Sequence, residues 1–276
     1  MKINIKLLFL SVAMSVTAIP AFGWGQKGHD ATVAIAERHL TPATRQALSE
    51  MFDGRSLVYW ANWLDDASNT PDYAYSKTWH YKNIDEGVDY DSAPLLESGD
   101  IVRAISDQIG VARNPSSTLE QKRLAVKMLI HLLGDIHQPM HMGHASDRGA
   151  NNVKVLFFDE PTNLHSVWDT SLPEAAHKWS YTEWADQIDR DATLPESKIL
   201  YGTPSDWGKE TFNVCTRVYN ETPADSNLSY DYVSKWTPTI ERQIRKGGLR
   251  LADILNTLFD DGYTTKTDAF KNIPRK

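Results

Sequence analysis

HLLGDIHQPMH, residues 131–141, follows a run that is helical by pattern, SSTLEQKRLAVKMLI, in which Leu124, Met128, Leu132 and Leu133 recur at helical spacing. Ser117 and Glu120 stand three apart, the spacing of a capping box, and predict the start of this helix. On it His131 and Asp135 are one turn apart, so an imidazole and a carboxylate project side by side, as two ligands of one metal ion must. Pro139 is expected to stop the helix, and His141 lies just beyond the break, where a turned chain can return a further imidazole to the same cavity. A polar helix end whose histidines only hydrogen-bond is the alternative reading of the same residues, since a two-ligand pair is by itself a weak signal.

Reading outward, residues 1–23 carry lysines at the front, an apolar middle, and Ala21 and Gly23 at positions minus three and minus one to a cut, the pattern of a secretory signal peptide. Trp24 would then be the first mature residue, and the destination periplasmic or secreted. The apolar part is too short and interrupted for a membrane span, and no later stretch approaches the roughly 18–20 apolar residues spanning needs. From residue 24 to 276 no linker, repeat or low-complexity tract divides the chain, which predicts a single domain. Cys215 is the lone cysteine, so no intrachain disulfide can staple the fold and the core or a metal must do so. The leader contains Lys2 and Lys6 and no acid, so without it 27 basic residues face 36 acidic ones, a formal charge of −9. A basic nucleic-acid footprint is absent, and phosphates can be bound only if cations are supplied locally.

Helical periodicity covers residues 27–40, 42–51, 181–191, 204–219 and 229–260, while the β-branched and aromatic run 153–158 reads as one arm of a small hairpin. The expectation is an all-α domain with one small β-hairpin. Trp60, Trp63 and Trp79 are expected in its core.

Four separated segments offer ligands: Trp24 with His29, Asp65 with His80, His131 with Asp135 and His141, and His165 with Asp169. Imidazole and carboxylate without thiolate suit catalytic zinc better than structural zinc, and the count exceeds what one ion can use. Taken in order, WGxxGH from Trp24, WxD ending at Asp65 with WHY fifteen residues later, HxxxDxHxPxH, NLHxxWD ending at Asp169, and the late GGLRLADILN of 247–256 resemble the zinc-dependent single-strand nucleases of fungi, plants and bacteria, the S1/P1 nuclease family. The resemblance runs over nearly all of the chain after residue 23.

What it implies is a trinuclear cluster of three Zn2+: one ion on Asp65, His80, His131 and Asp135, a neighbour on the Trp24 amine and carbonyl, His29 and Asp135, and a third on His141, His165 and Asp169. Asp135 would bridge the first two. It further implies hydrolysis of single-stranded RNA and DNA to 5′-phosphoryl products, with 3′-nucleotidase activity, by a monomer acting on nucleic acid and nucleotides and on no membrane. Paired zinc ions about 3.5–4 Å apart supply a hydroxide near neutral pH without a protein base, with Asp65 and Asp135 as the carboxylates at the reacting centre. Tyr81, directly after His80, is placed to stack a base, and Asn163 and Lys82 to meet the substrate. Two positions depart from the family pattern: Ser68 and Ser171 stand where relatives often carry a cation and an asparagine, and Lys77, Lys82 or Arg148 is the substitute for that cation. His39, His137, His144 and His177 are expected at the surface or behind the ligands. A zinc-dependent phospholipase C is the alternative enzyme, and a zinc-storage protein the alternative of another class.

Overall fold

The computed structural model describes residues 24–191, 193–271 and 273, and the signal-peptide reading of residues 1–23 lies outside them. Its helices run in the order α1 (Gln26–Arg38), α2 (Pro42–Met51), α3 (Trp63–Ala67), α4 (Ile101–Arg113), α5 (Leu119–Asp135), α6 (Leu164–Ser166), α7 (Leu172–Ala176), α8 (Tyr181–Asp189), α9 (Glu196–Ile199), α10 (Pro204–Glu221) and α11 (Tyr230–Phe259). The all-α expectation holds, and the β element is larger than expected. β1 (Lys154–Phe157) pairs antiparallel with β2 (Glu160–Asn163) as in a hairpin, but β3 (Asn227–Leu228) joins β1 in parallel on its other side. Two residues leave no periodicity to read, which is why the third strand was invisible in the sequence.

Helix α5 begins one residue later than its sequence signal. Thr118, not Ser117, is the N-cap: its hydroxyl accepts from Gln121 N–H while the Gln121 side chain accepts from Thr118 N–H. Ser117 and Glu120 have the right spacing, but Leu119 supplies the first helical residue, so the box forms one step on. α4 is a helix the reading passed over, although Asp100 caps it through Arg103 N–H and Ile101, Ile105 and Ile109 bury its apolar face.

α1, α5 and α11 pack together at the centre, and two glycines allow it. A Cβ on Gly247 would lie 2.8 Å from Leu133 O, and one on Gly248 would lie 2.7 Å from Ile35 Cβ, so α11 can approach both neighbours only because these positions are bare. Trp60, Trp63 and Trp79 differ from expectation: they are half-buried, packed on the rim of the core, which is filled instead by Trp24, Trp168, Trp184, Trp207 and Trp236.

Candidate metal centre

The expected ligands converge on the C-terminal turn of α5. His29 is brought there by a second close approach: a Cβ on Gly134 would lie 2.6 Å from His29 Nδ1, so glycine between His131 and Asp135 is what lets α1 place an imidazole beside them. His29 Nε2 lies 3.3 Å from Asp135 Oδ1, and its ring stacks on that of His131 at 4.1 Å. On the other carboxylate oxygen, Asp135 Oδ2 lies 2.9 Å from His80 Nδ1 and 3.0 Å from His131 Nε2. Asp65 Oδ1 closes this group at 3.3 Å from His131 Nε2. A second cluster stands beside the first, with His165 Nε2 3.1 Å from Asp169 Oδ2 and His141 Nε2 3.8 Å from Asp169 Oδ1.

Three backbone carbonyls fix which nitrogen of each ring faces inward. The Nδ1–H groups of His131, His141 and His165 donate to Ala61 O at 2.8 Å, His80 O at 2.6 Å and Gly149 O at 2.5 Å. Each ring therefore turns its Nε2 toward the carboxylates, the arrangement by which proteins orient metal-binding imidazoles. The segment after His80 is held against the turn after α5 by Lys82 N–H to His141 O and Ile84 N–H to Gly143 O, which carries His80 and His141 together.

The last pair owes its place to a proline. Pro173 has no N–H to give Asp169 O, four residues earlier, and the chain from Val167 to Ser171 widens into a π-turn. Gly25 N–H donates to that carbonyl instead, at 2.6 Å, and this contact brings the start of the described chain, with fully buried Trp24, onto the Asp169 turn. Gln138 makes the reciprocal link, its amide donating to Asp169 Oδ1 while its Oε1 accepts from Met140 N–H. Sequence reasoning missed Gln138, Gly134 and Pro173. Their signal was only their position, between or just after ligands.

Polar atoms this deep are normally paired, because an unpaired one costs about 1–3 kcal/mol. Among the described residues both ring nitrogens of His29, and Asp65 Oδ1, Asp135 Oδ1 and Asp169 Oδ2, are buried without a hydrogen-bond partner. Three groups have their donor atoms within 4.8 Å of one another: His29, His131 and Asp135; Asp65, His80 and His131; and His141, His165 and Asp169. The residues thus fit metal ions in number, donor type and spacing. The electrostatics agree. Burial disfavours charge on His131, yet Asp135 and Asp65 beside it hold its pKa well above the ordinary histidine value, and Asp169 raises His165 likewise against burial. Burial would push Asp135 up, but His131 and His141 pull it well below the usual carboxylate range. This is a pocket built for positive charge.

The substrate-side residues are placed less uniformly. Tyr81 is half-buried, burial raising its hydroxyl pKa against the nearby charge of Arg148. Asn163 uses its side-chain oxygen to accept from Ser166 N–H at 2.8 Å, capping the turn that carries His165. Lys82 is buried, its ammonium 3.0 Å from Asp100 and over the Tyr90 ring, so it is committed within the fold. Lys77 and Arg148 are exposed, Arg148 in the left-handed region at φ 60. Ser68 is buried and donates to Asp65 O. Of the histidines set aside, His39 pairs with Asp189, His144 stacks on Tyr219 and His177 stacks on Trp179, all partly exposed. His137 alone is fully buried, tied to Arg250.

A helical domain that gathers buried imidazoles and carboxylates into three adjoining groups, with one carboxylate a quarter exposed to solvent, is a metal-dependent hydrolase. The chain belongs to the S1/P1 nuclease family, whose model matches residues 24–260. It is 28% identical to Nuclease S1 of Aspergillus oryzae over 92% of this chain and 98% of that one. To Endonuclease 4 of Arabidopsis thaliana it is 29% identical over 87% and 90%, and to Nuclease P1 of Penicillium citrinum 26% over 85% and 97%. Members of this family are zinc-dependent phosphodiesterases, and this chain is accordingly a nuclease that hydrolyses nucleic acid.

Proposed function

We propose that the protein is an exported endonuclease that cleaves single-stranded RNA and DNA to 5′-phosphoryl products, with 3′-nucleotidase activity, using three Zn2+. The observation that carries this is the set of imidazole Nε2 atoms aimed at carboxylates whose own buried oxygens lack partners. Asp65, His80, His131 and Asp135 would hold one ion, Trp24, His29 and Asp135 a second, and His141, His165 and Asp169 a third. When bound, zinc supplies a hydroxide near neutral pH and neutralises charge growing on the phosphate.

The chain's own residues then divide the work. Asp135 holds two groups of ligands in register, one on each carboxylate oxygen. Asp65, the carboxylate nearest solvent, orients the attacking water in line with the scissile bond. Tyr81 stacks a base beside His80, which favours a strand whose bases are already unpaired. Asn163 acts by capping the His165 turn, Lys82 by holding the Tyr81 segment on Asp100, and Arg148 takes the phosphate-facing role. Among the described residues no helix is long and apolar enough to cross a membrane, and the leader pattern of residues 1–23 supports export. Monomeric action is consistent with a site drawn from one chain.

The test is to incubate zinc-loaded protein with single-stranded RNA, single-stranded DNA, duplex DNA, a 3′-mononucleotide and phosphatidylcholine, and to read the product ends. Cleavage of both single strands with 5′-phosphate ends supports the proposal. Release of phosphocholine alone would assign the site to a phospholipase C.

A further inference from the structure

The chain on either side of Asp65 is dense in rings, and the fold leaves them at the surface. Tyr59 is 59% exposed and Tyr75 50%, with Trp60, Trp63, Tyr73 and Trp79 half-buried around them. They touch in series: Tyr59 meets Trp60 edge-on at 4.8 Å, Trp63 meets Tyr73 at 5.1 Å, Tyr73 lies 6.4 Å from Tyr75, and Tyr75 meets Trp79 at 5.2 Å. Lys127 bridges the remaining gap, its ammonium 3.6 Å from the Trp60 ring centre and 5.1 Å from that of Trp63. Arg55 caps the far end, 4.3 Å over Tyr59. Tyr59, Trp60 and Trp63 line a groove of about 670 Å³ whose wall includes Asp66, next to the ligand Asp65. At the other end of the row Trp79 precedes the ligand His80 directly.

Scattered exposed aromatics need no explanation, but a contiguous row of them marks a binding surface. Rings alone would suit many ligands. Cations lying on those rings narrow the choice, because a single strand offers a flat base and a phosphate at each step and is held without sequence preference by that pairing. Resting on the phosphodiesterase reading of the metal centre, we infer that the row from Arg55 to Trp79 is a track for the single strand flanking the scissile phosphate, with bases on Tyr59 and Tyr75 and phosphates at Lys127 and Arg55. Two acids share the groove. Asp30 is buried with its carboxylate bound by Asn62 at 2.8 Å, which takes it out of the groove's open face. Asp66 is exposed, which steers phosphates to the Lys127 side.

The two most exposed rings can be removed together, as Tyr59→Ala with Tyr75→Ala, at little risk to folding. Steady-state constants are measured for a dinucleotide and for an oligonucleotide of about 20 nucleotides, longer than the roughly 4–16 such grooves cover. The ratio of the long-substrate KM to the dinucleotide KM is expected to rise about tenfold, with kcat for the long substrate within about twofold of wild type. Lys127→Ala should lower the slope of log affinity against log salt by about one. An unchanged KM ratio overturns the track. Should the wild type cleave neither substrate, the metal-centre reading fails, and the track is then read alone by quenching of tryptophan fluorescence with the same oligonucleotide in EDTA. Quenching that the double variant loses upholds it; quenching that persists, or that a neutral oligosaccharide reproduces and competes away, overturns it.

Discussion

His131 and His137 stand six residues apart at one helix end, both fully buried, and their surroundings make them chemical opposites. His131 faces Asp135 and Asp65, which hold its pKa well above the ordinary value although burial opposes it. His137 faces Arg250, and burial together with that guanidinium holds its pKa well below the ordinary value. The neutral His137 ring donates from Nδ1 to Leu133 O and accepts at Nε2 from Arg250, which also donates to Glu210 and to Ile199 O. One side of the helix end is a cavity prepared for cations. The other is a pillar already supplied with one, fastening α5 to α11 and α10. Burial alone does not make a histidine a ligand; the sign of the charge across from it decides.

The sharpest way to break this comparison is Asp135→Asn. Losing the carboxylate that serves two ligand groups should abolish nuclease activity, beyond the roughly 10–100-fold that outer partners cost, and remove more than one equivalent of zinc. Loss of a single ion with activity intact would refute the bridge. On the pillar side, Arg250→Met should leave zinc content unchanged and lower unfolding stability by about 1–3 kcal/mol, since buried His137 Nε2 and Ile199 O lose their donor while Glu210 keeps Lys246. A zinc deficit in the folded variant, read by metal analysis, would mean that the two sides are one site.

Gln138 joins the two sides through the chain, and Gln138→Leu should weaken zinc binding about tenfold or more by releasing Asp169. Unaltered affinity in a competition titration would reduce Gln138 to a cap. The smallest effect expected is in pH. His131 and His165 hold protons more tightly than usual, so zinc must displace them and its affinity falls as pH falls through their raised pKa values. His137 is shifted the other way: its folded pKa is depressed, so its contribution to stability is present above about 6.5, the unfolded value, and is lost as pH falls from there through the depressed folded value. Calorimetric zinc titrations and unfolding curves across this range separate the two, and an affinity independent of pH would contradict the raised pKa of His131.

Much of this was legible beforehand. Pro42–Met51 is a helix with the bounds expected, because Thr41 caps it and Pro42 opens it, both local signals. The imidazoles and carboxylates that the fold gathers were readable because their chemistry and spacing are written along the chain, one helical turn between His131 and Asp135 and another between His165 and Asp169. Local signals also misled, as at Ser117, where a correct spacing one residue off the true cap looked the same. The half-buried tryptophans were placed in the core because hydrophobicity reports the wish to be buried and not how many other rings compete for the same space.

The sequence by itself determined the helical class and the one-turn pairing of imidazole with carboxylate, since each rests on contacts within a turn or two of chain, while α5 ends at Asp135, four residues before the expected stop at Pro139. Only the tertiary structure decided which nitrogen each imidazole turns inward, through carbonyls as distant in sequence as Ala61 from His131. It alone decided that Gly25 takes up the carbonyl Pro173 leaves free, and that His137 answers to Arg250 and not to a metal. Hydrogen-bond partners and opposing charges come from chain segments far apart in sequence, and no local pattern encodes which of them will meet.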